Sequence, residues 1–303
     1  MAVIVVAGVC NVETTLRVDD FPIDYAPVRY PVFGVRSGPS GVGYNIAAAL
    51  TTLGDDVRLV SLIGRDRAGA MVGAALDGRG IAREWLDDTA DATPQSVVLY
   101  DAQGRRQVNT DLKDMQERAY PADRFARALD GCAVAVLTTI NYTRALLPVA
   151  RAAGVPIATD IQALSDLDDA YNRDYLAAAD IVFMSGERLP APPEECARRV
   201  MERYRPEILV IGLGREGALL AVKCDGRLAR LPAVTTRPVV NTGGAGDALF
   251  SAFVHRYART RDPDMALRTP IVFASHKIGE AGAAQGFLDA RRLDALYRRT
   301  LND

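Results

Sequence analysis

Val240-Asn241-Thr242-Gly243-Gly244-Ala245-Gly246-Asp247 is a glycine-rich segment that ends in an aspartate and leads into an apolar repeat. The repeat has the spacing of one helical face, at Ala245, Ala248, Leu249, Ala252 and Phe253. The first turn of a helix has backbone N–H groups without intrahelical partners, at the positive end of the helix dipole. Because glycine lets an anion approach the backbone closely, the segment predicts a phosphate-binding turn.

Asp247 has two interpretations at this position. An acid in the first turn stabilises its helix by about 0.3–1 kcal/mol, which is a purely structural role. Alternatively, it is a general base beside an anion hole. A carboxylate there repels a bound phosphate, so its presence is unfavourable unless the reaction requires it. The segment alone leaves both interpretations open.

The composition narrows the class of protein. The chain has 303 residues, 49% of them hydrophobic, which suffices for a single large α/β domain over 1–303. A formal net charge of −2 gives no reason to expect nucleic acid or an anionic membrane as a partner. No apolar run approaches the ~20 residues of a membrane span. Four scattered cysteines and two histidines argue against structural zinc and favour a reducing cytoplasm.

Apolar runs typical of buried strands alternate with helical repeats over most of the chain. The predicted strands are 3–9, 57–63, 133–139, 156–160, 181–184 and 208–213, and the predicted helices between them include 42–53, 66–76, 171–178 and 193–204. This alternation predicts an α/β fold in which helices cover both faces of a mostly parallel central sheet, giving three layers.

Four short β-prone pieces fall outside this pattern. They are 14–18, 30–35 and the two arms of a hairpin at 95–100 and 106–110. We expect them to form a small β lid from roughly 13–36 and 95–111. Because exposed strand edges need cover, the lid is also predicted to mediate a homodimer.

Gly212-Leu213-Gly214-Arg215-Glu216-Gly217 matches the dinucleotide-binding fingerprint G-x-G-x-x-G. That fingerprint should follow the first strand and open a helix, whereas this segment lies two-thirds along the chain. The run after it, 218–222, is apolar without helical spacing. We therefore expect a turn between two strands, placed near a nucleotide.

Two segments together resemble signatures of the ribokinase-like (PfkB) family of carbohydrate and nucleoside kinases. The family's C-terminal signature D-T-x-G-A-G-D corresponds to 241–247, and its N-terminal G-G-x-x-x-N corresponds to Ser40-Gly41-Val42-Gly43-Tyr44-Asn45. The two occur in the family's order, and the resemblance extends over nearly the whole chain. It implies an ATP-dependent phosphotransferase that acts on an alcohol group, with Mg²⁺ carried on the nucleotide.

The resemblance implies roles for individual residues. Asp247 matches the catalytic base, and Gly244, Ala245 and Gly246 match the anion hole for the transferring phosphoryl group. The positions matching substrate-hydroxyl binders are Glu13, Gly41 and Asn45, and those on the nucleotide side are Gly214, Gly217 and Thr242. These roles fit phosphoryl transfer, which depends on positioning and charge stabilisation.

Three positions depart from the family pattern. Asn241 replaces an aspartate that helps to hold a monovalent cation in many relatives. Whether a potassium ion binds near Asn241 is therefore left open. Ser40 replaces the first glycine of the N-terminal pair. Ser185 stands where an internal N-x-x-E motif has asparagine, and Glu187, out of register, is the candidate to orient Mg²⁺ through water.

The sequence leaves several acceptors open. We expect a hydroxymethyl group of a free sugar, with a nucleoside as the alternative, for which Tyr25, Tyr30 and Phe33 offer rings for stacking. A sugar phosphate ranks lower, because the cations near the lid are few: Arg105, Arg106 and Lys113. A non-catalytic regulator that binds sugar or nucleotide is the alternative from another class. The particular sugar or nucleoside, the choice between ATP and GTP and the oligomeric state are not fixed by the sequence.

Overall fold

Strands and helices alternate along the chain in the computed structural model, which describes residues 1–300. The strands are β1 (Val3–Ala7), β2 (Asn11–Arg17), β3 (Val35–Ser40), β4 (Asp56–Gly64), β5 (Leu86–Ala90), β6 (Gln95–Tyr100), β7 (Arg106–Asp111), β8 (Val134–Leu137), β9 (Ile157–Ala163), β10 (Ile181–Ser185), β11 (Ile208–Gly212), β12 (Ala218–Val222) and β13 (Arg227–Leu231). The helices are α1 (Val42–Thr52), α2 (Arg67–Gly78), α3 (Ala122–Ala128), α4 (Asn141–Arg144), α5 (Leu147–Ala152), α6 (Arg173–Ala178), α7 (Pro193–Arg203), α8 (Ala245–Thr260), α9 (Pro263–Lys277) and α10 (Ala290–Thr300).

Nine strands form the central sheet, in the order β13-β12-β11-β10-β9-β8-β1-β4-β5. The pairs from β11 to β5 are parallel, whereas β12 and β13 continue the sheet in antiparallel pairs. Parallel strands need crossover connections, and the helices supply them. This is the mostly parallel α/β sheet that the sequence predicts.

Apolar side chains on opposite faces of the sheet form two clusters. Val6 of β1 packs in one cluster with Ile46 of α1 and Phe253 of α8. Its neighbour Val5 points the other way and packs in a second cluster with Phe125 of α3. Because successive strand residues face opposite sides, apolar residues at both positions require helices on both faces. The result is the predicted three-layer arrangement.

A second sheet of four strands, in the order β3-β2-β6-β7, stands apart from the central one. The outer pairs are antiparallel and the central pair β2–β6 is parallel. One predicted strand is wrong: residues 30–35 form no strand except at Val35, where β3 begins. Pro31 removes a donor there and Phe33 has a positive φ of 51°, so the backbone cannot continue a ladder.

The fingerprint-like segment forms a turn between two strands, as the sequence predicts. Residues 214–216 make one 3-10 turn between β11 and the antiparallel β12. Gly217 has a φ of 96°, and a Cβ there would lie 2.0 Å from the carbonyl oxygen of Leu231. The close backbone packing of β13 therefore accounts for this glycine. No helix within residues 1–300 has both the length and the apolar character to cross a membrane.

Candidate active site

The glycine-rich segment turns sharply into α8. Gly244 precedes the helix with a left-handed φ of 75°, and a Cβ there would lie 2.6 Å from the carbonyl oxygen of Ala283. Only glycine meets both demands without strain. The Ala245 N–H donates to the Thr242 carbonyl at 3.1 Å, so the first turn of α8 presents the N–H groups of Gly246 and Asp247 without a partner, at the positive end of the helix.

The side chain of Asn241 joins this turn to the segment after α9. Its Oδ1 accepts from the Gly243 N–H at 2.8 Å, and its Nδ2 donates to the Ala281 carbonyl at 2.6 Å. The backbone N–H of Asn241 also donates to the Ile278 carbonyl at 3.0 Å. The turn that the sequence predicts as an anion hole is thus held by hydrogen bonds on both sides.

Asp247 lies within reach of α1. Its Oδ2 accepts a hydrogen bond from Asn45 Nδ2 at 2.8 Å, although the two residues are 202 positions apart in sequence. Burial, helped by the negative charge of Asp160, raises the pKa of Asp247 to about 7, although the Asn45 hydrogen bond opposes the rise. A carboxylate with a pKa near neutrality is matched to proton abstraction from an alcohol in the cell.

The entry into α1 places the predicted hydroxyl binders. Gly41 begins the helix with a φ of 100°, and a Cβ there would lie 2.5 Å from the Val9 carbonyl oxygen. Asn45 is buried, and its Oδ1 has no hydrogen-bond partner. Glu13, on β2, accepts a hydrogen bond from Ser40 Oγ at 3.3 Å. Burial raises the pKa of Glu13, although Ser40 and nearby positive charges oppose the rise.

Of the predicted nucleotide-side and metal residues, Asn241 and Thr242 belong to the glycine turn, whereas Gly214, Gly217 and Glu187 lie in neighbouring segments. Gly186 N–H donates to the Gly212 carbonyl at 2.7 Å, which joins the segment of Glu187 to the turn that contains Gly214. Glu187 and Thr242 are exposed, and open space surrounds the Cα of Gly214. The Thr242 carbonyl accepts a hydrogen bond from the Ala245 N–H at 3.1 Å, at the start of α8.

Three charged residues join this site that sequence reasoning did not assign to it. Asp160 Oδ2 lies 3.8 Å from where a Cβ on Gly246 would be, and burial raises the pKa of Asp160. Arg106 Nη1, from the second sheet, lies 3.6 Å from the equivalent point on Gly243. Lys277 Nζ donates to the Gly243 carbonyl.

Two of these residues had a signal in the sequence. Asp160 lies near the carboxyl end of a predicted strand, the edge at which open α/β sheets bind ligands. Lys277 continues the apolar spacing of Ala266, Pro270 and Phe273, so a charge at that point interrupts a buried helical face. Arg106 carried no such signal, because its role depends on how the second sheet folds over the first.

A carboxylate, free backbone donors and buried polar groups thus converge at the carboxyl edge of a parallel sheet. This fold and this site define an enzyme that transfers a phosphoryl group to an alcohol. Residues 1–290 match the family described as pfkB family carbohydrate kinase. The chain belongs to this family, and it is an ATP-dependent sugar kinase.

Individual relatives agree with this assignment. The acarbose 7(IV)-phosphotransferase of an Actinoplanes species is 28% identical over 308 residues, which cover 98% of this chain and 96% of the relative. A microbiome-derived acarbose kinase superposes with a TM-score of 0.87 at 25% identity, covering 98% of this chain and 99% of the other. The ribokinase of Arabidopsis thaliana, solved with ribose and ATP, gives 0.83 at 19% identity with 98% of both chains covered, and it shows the shared fold.

Proposed function

We propose that this kinase transfers the γ-phosphate of ATP to a hydroxymethyl group of a free sugar, with Asp247 as the general base. The observation that carries the proposal is the contact between Asp247 and Asn45, beside the first turn of α8. It places a base with a pKa of about 7 next to unsatisfied N–H groups. The base takes the proton of the attacking hydroxyl, and the N–H groups of Gly244 and Gly246 stabilise the charge on the transferring phosphoryl group. The Ala245 N–H, which donates to the Thr242 carbonyl at 3.1 Å, holds the shape of this cradle.

Glu13, Gly41 and Asn45 bind the other hydroxyls of the sugar in this proposal. Asn45 Oδ1 supports this role, because a buried acceptor without a partner is costly unless a ligand satisfies it. Asn11, at the start of β2, is also buried and has an unpartnered Oδ1. The strand that carries Glu13 therefore offers two polar side chains to a polyol.

The nucleotide occupies the side of the site formed by Gly214, Gly217 and Thr242. Mg²⁺ arrives with ATP, and it is held mainly by phosphate and water oxygens, as this ion prefers. The exposed carboxylate of Glu187 fits a contact through water rather than direct coordination. When bound, Mg²⁺ neutralises charge on the phosphates, while the residues of this chain position the acceptor.

The charges near the lid favour a free sugar over a sugar phosphate. Arg105 pairs with Asp101 at 2.7 Å and also contacts Asp20. Lys113 pairs with Asp111. With both cations engaged, only Arg106 of the three predicted candidates remains near the site, and it lies beside the glycine turn. A single cation in that place serves the transferring phosphoryl group.

A nucleoside acceptor has less support. Tyr25, Tyr30 and Phe33, the residues expected to stack on a base, are 92%, 87% and 90% exposed. Side chains so exposed do not form the walls of a slot.

Exposed apolar side chains of the second sheet and its loop support the predicted homodimer. Besides these rings, Val35 of β3 and Val108 of β7 are exposed, and exposed apolar patches mark interaction surfaces. Four unpaired cysteines support a cytoplasmic enzyme.

The test is ADP release from Mg-ATP with a panel of free mono- and oligosaccharides, acarbose, sugar phosphates and nucleosides, with Asp247→Asn in parallel. We expect turnover with a free sugar and its loss in the variant. Turnover with a nucleoside alone would replace the proposed acceptor. Turnover that survives in Asp247→Asn would remove the base assignment. Light scattering at micromolar concentration tests the dimer, and a monomer would contradict it.

A further inference from the structure

Lys277 is a fully buried lysine whose ammonium group reaches the glycine turn. Its exposed fraction is 0%, and its Nζ donates to the carbonyl of Gly243. Burying an ammonium group is unfavourable unless opposite charges or ligands compensate it. The position of Lys277 therefore requires negative charge nearby.

The surroundings supply that charge. The carboxylates of Asp247 and Glu13 both attract Lys277, and Glu280 adds a weaker attraction, while Arg106 repels it. Asp160 lies close to Gly246, with its Oδ2 3.8 Å from where a Cβ would be. These four acids near a phosphate cradle repel a nucleotide unless fixed cations balance them. Lys277 is the balancing charge that lies within the protein core.

A monovalent metal ion, which the resemblance to relatives suggested beside Asn241, does not fit the side chains present. Asn241 Oδ1 is bonded to the Gly243 N–H, and Asn241 Nδ2 is bonded to the Ala281 carbonyl. The carbonyl of Gly243 accepts from Lys277. These three oxygen atoms, Asn241 Oδ1 and the carbonyls of Gly243 and Ala281, are thus already hydrogen-bonded to donors of the chain itself, and no carboxylate stands at position 241.

We propose that this kinase works without a dissociable monovalent cation, and that Lys277 acts as a positioning residue whose ammonium group holds the Gly243 turn and supplies the fixed positive charge beneath the phosphate cradle. The Asn241 amide completes the arrangement by tying the turn to Ala281 directly. This proposal rests on the proposed kinase site, and it concerns how the charge of that site is balanced.

The ionisation of Lys277 gives the proposal a pH signature. Burial lowers the pKa of the Lys277 ammonium to about 8, although Asp247 and Glu13 oppose the decrease. The charged form therefore dominates at pH 7 and is lost as pH rises above about 8. The charged groups that face it are Glu13 of β2, Arg106 of β7, Asp247 of α8 and Glu280. We expect kcat/KM to fall on the alkaline side, and Lys277→Met to remove that fall.

The first measurement needs no acceptor. The Kd of Mg-ATP is measured by calorimetry in tetramethylammonium chloride and in potassium chloride, both at an ionic strength of roughly 0.1 M. We expect the wild-type Kd to differ by less than about threefold between the salts, since a tenfold change requires 1.4 kcal/mol of differential interaction. A larger tightening by potassium would overturn the proposal, whatever the acceptor proves to be.

The second measurement uses the acceptor found by the ADP-release panel, with ADP quantified by chromatography so that no coupling enzyme responds to potassium. Wild-type kcat should be the same in both salts. Lys277→Met should lose about 10²-fold in kcat while the KM for the sugar changes little, because the charge acts on the transferring group. If the kcat of Lys277→Met equals that of wild type, the proposal is overturned.

A cavity variant and a matched control separate charge from packing. Lys277→Ala leaves room for a small cation, so methylammonium or potassium should restore part of its activity and strengthen its binding of Mg-ATP. Failure of both cations to change either quantity would contradict a role for the charge. Lys223→Met removes an exposed lysine that pairs with Glu207, and it should match wild type. If the Lys277 variants do not fold, the salt and pH measurements on wild type decide the question.

Discussion

Two glycine-rich turns lie on the same edge of the central sheet, and each leads into a different kind of element. The turn at 212–217 leads from β11 into the antiparallel strand β12, and its Gly217 is fixed by the backbone of Leu231. The turn at 243–246 leads into α8, and its Gly244 is fixed by Ala283. Both glycines satisfy close packing, yet only the second turn is continued by a helix.

The difference shows that glycine content does not define a phosphate site. A strand uses its N–H groups in the ladder, as the β11–β12 pairing does from Ile208 to Gly212. A helix leaves its first N–H groups unpaired and aligns their dipoles. The second turn also collects charge from distant parts of the chain, through Asp160, Lys277 and Arg106. The charged residues at the first turn are on the surface: Arg215 is exposed, and Glu216 pairs with Arg230 at 3.3 Å.

Replacing the acid of each turn by its amide should give the largest difference in kcat between the two turns. Asp247→Asn should lower kcat by about 10³-fold or more, because general-base catalysis typically contributes 10²–10⁴-fold. Glu216→Gln, the matched change in the other turn, should leave kcat unchanged. Steady-state ADP release measures both. Equal effects would mean that Asp247 is only a first-turn acid of its helix.

Adding a methyl group to each turn separates catalysis from folding. Gly244→Ala should lower kcat by roughly 10²-fold, because it displaces the N–H donors of the cradle. Both Gly244→Ala and Gly217→Ala should lower the melting temperature, since their Cβ atoms would lie 2.6 Å and 2.0 Å from backbone oxygens, but only Gly244→Ala should also lower the kcat of the folded enzyme. Gly214→Ala, in open space with a φ of 58°, should cost only about 1–2 kcal/mol of stability. If Gly244→Ala were fully active, the turn at 243–246 would not bind the transferring phosphoryl group as proposed.

The pH dependence of kcat/KM tests the electrostatics of the second turn. A base must be ionised, so kcat/KM of wild type should rise as pH increases through about 7, the pKa to which burial raises Asp247. Asp160 and Glu13 raise this pKa, whereas Asn45 and Lys277 lower it. Asp160→Asn should therefore move the acid limb to lower pH, by up to about one unit. If the acid limb of the kcat/KM profile does not move, the charge of Asp160 does not affect the pKa of Asp247.

The smallest expected effect is on stability. The pKa of Asp247 is about 7 in the folded protein against 3.8 for an unperturbed aspartate, so the folded state holds the proton more tightly. The contribution of Asp247 to the free energy of unfolding is fully present below pH 3.8, and it is lost as pH rises through about 7. Asp247→Asn should thus raise the melting temperature at pH 8 by roughly 2 °C or more, and much less at pH 5. Glu216→Gln should change it at neither pH.

Much of the fold could be predicted because local patterns coincide with tertiary demands. The central strands are continuous apolar runs, and the helices start where glycine, aspartate or proline permits. The predicted strand at 30–35 failed because β-prone residues such as Tyr30 and Val32 have no partner strand there and are exposed. Strand β5 was not predicted, because Leu86-Asp87-Asp88-Thr89-Ala90 lacks the usual composition and depends on pairing with β4.

The site was predictable in its motifs and not in its charge balance. Asp247, Asn45 and Glu13 stand in or near recognisable segments, and the fold brings them to one edge of the sheet. Lys277 and Arg106 lie outside those segments: the sequence marks Lys277 only as a charge on an apolar helical face, and Arg106 only as part of a hairpin. Their contribution depends on distances across the fold, which local periodicity does not encode.

The connection between the two sheets has a consequence for how new specificities arise. Strand β2 carries Glu13 and belongs to the second sheet, and β3 of that sheet ends at Ser40, one residue before the helix that carries Asn45. The residues proposed to recognise the sugar therefore lie where the second sheet is joined to the central domain. A mutation there that alters which sugar is accepted would also alter how the two sheets are connected. In this architecture, substrate preference and the placement of the second sheet are coupled through the same few residues.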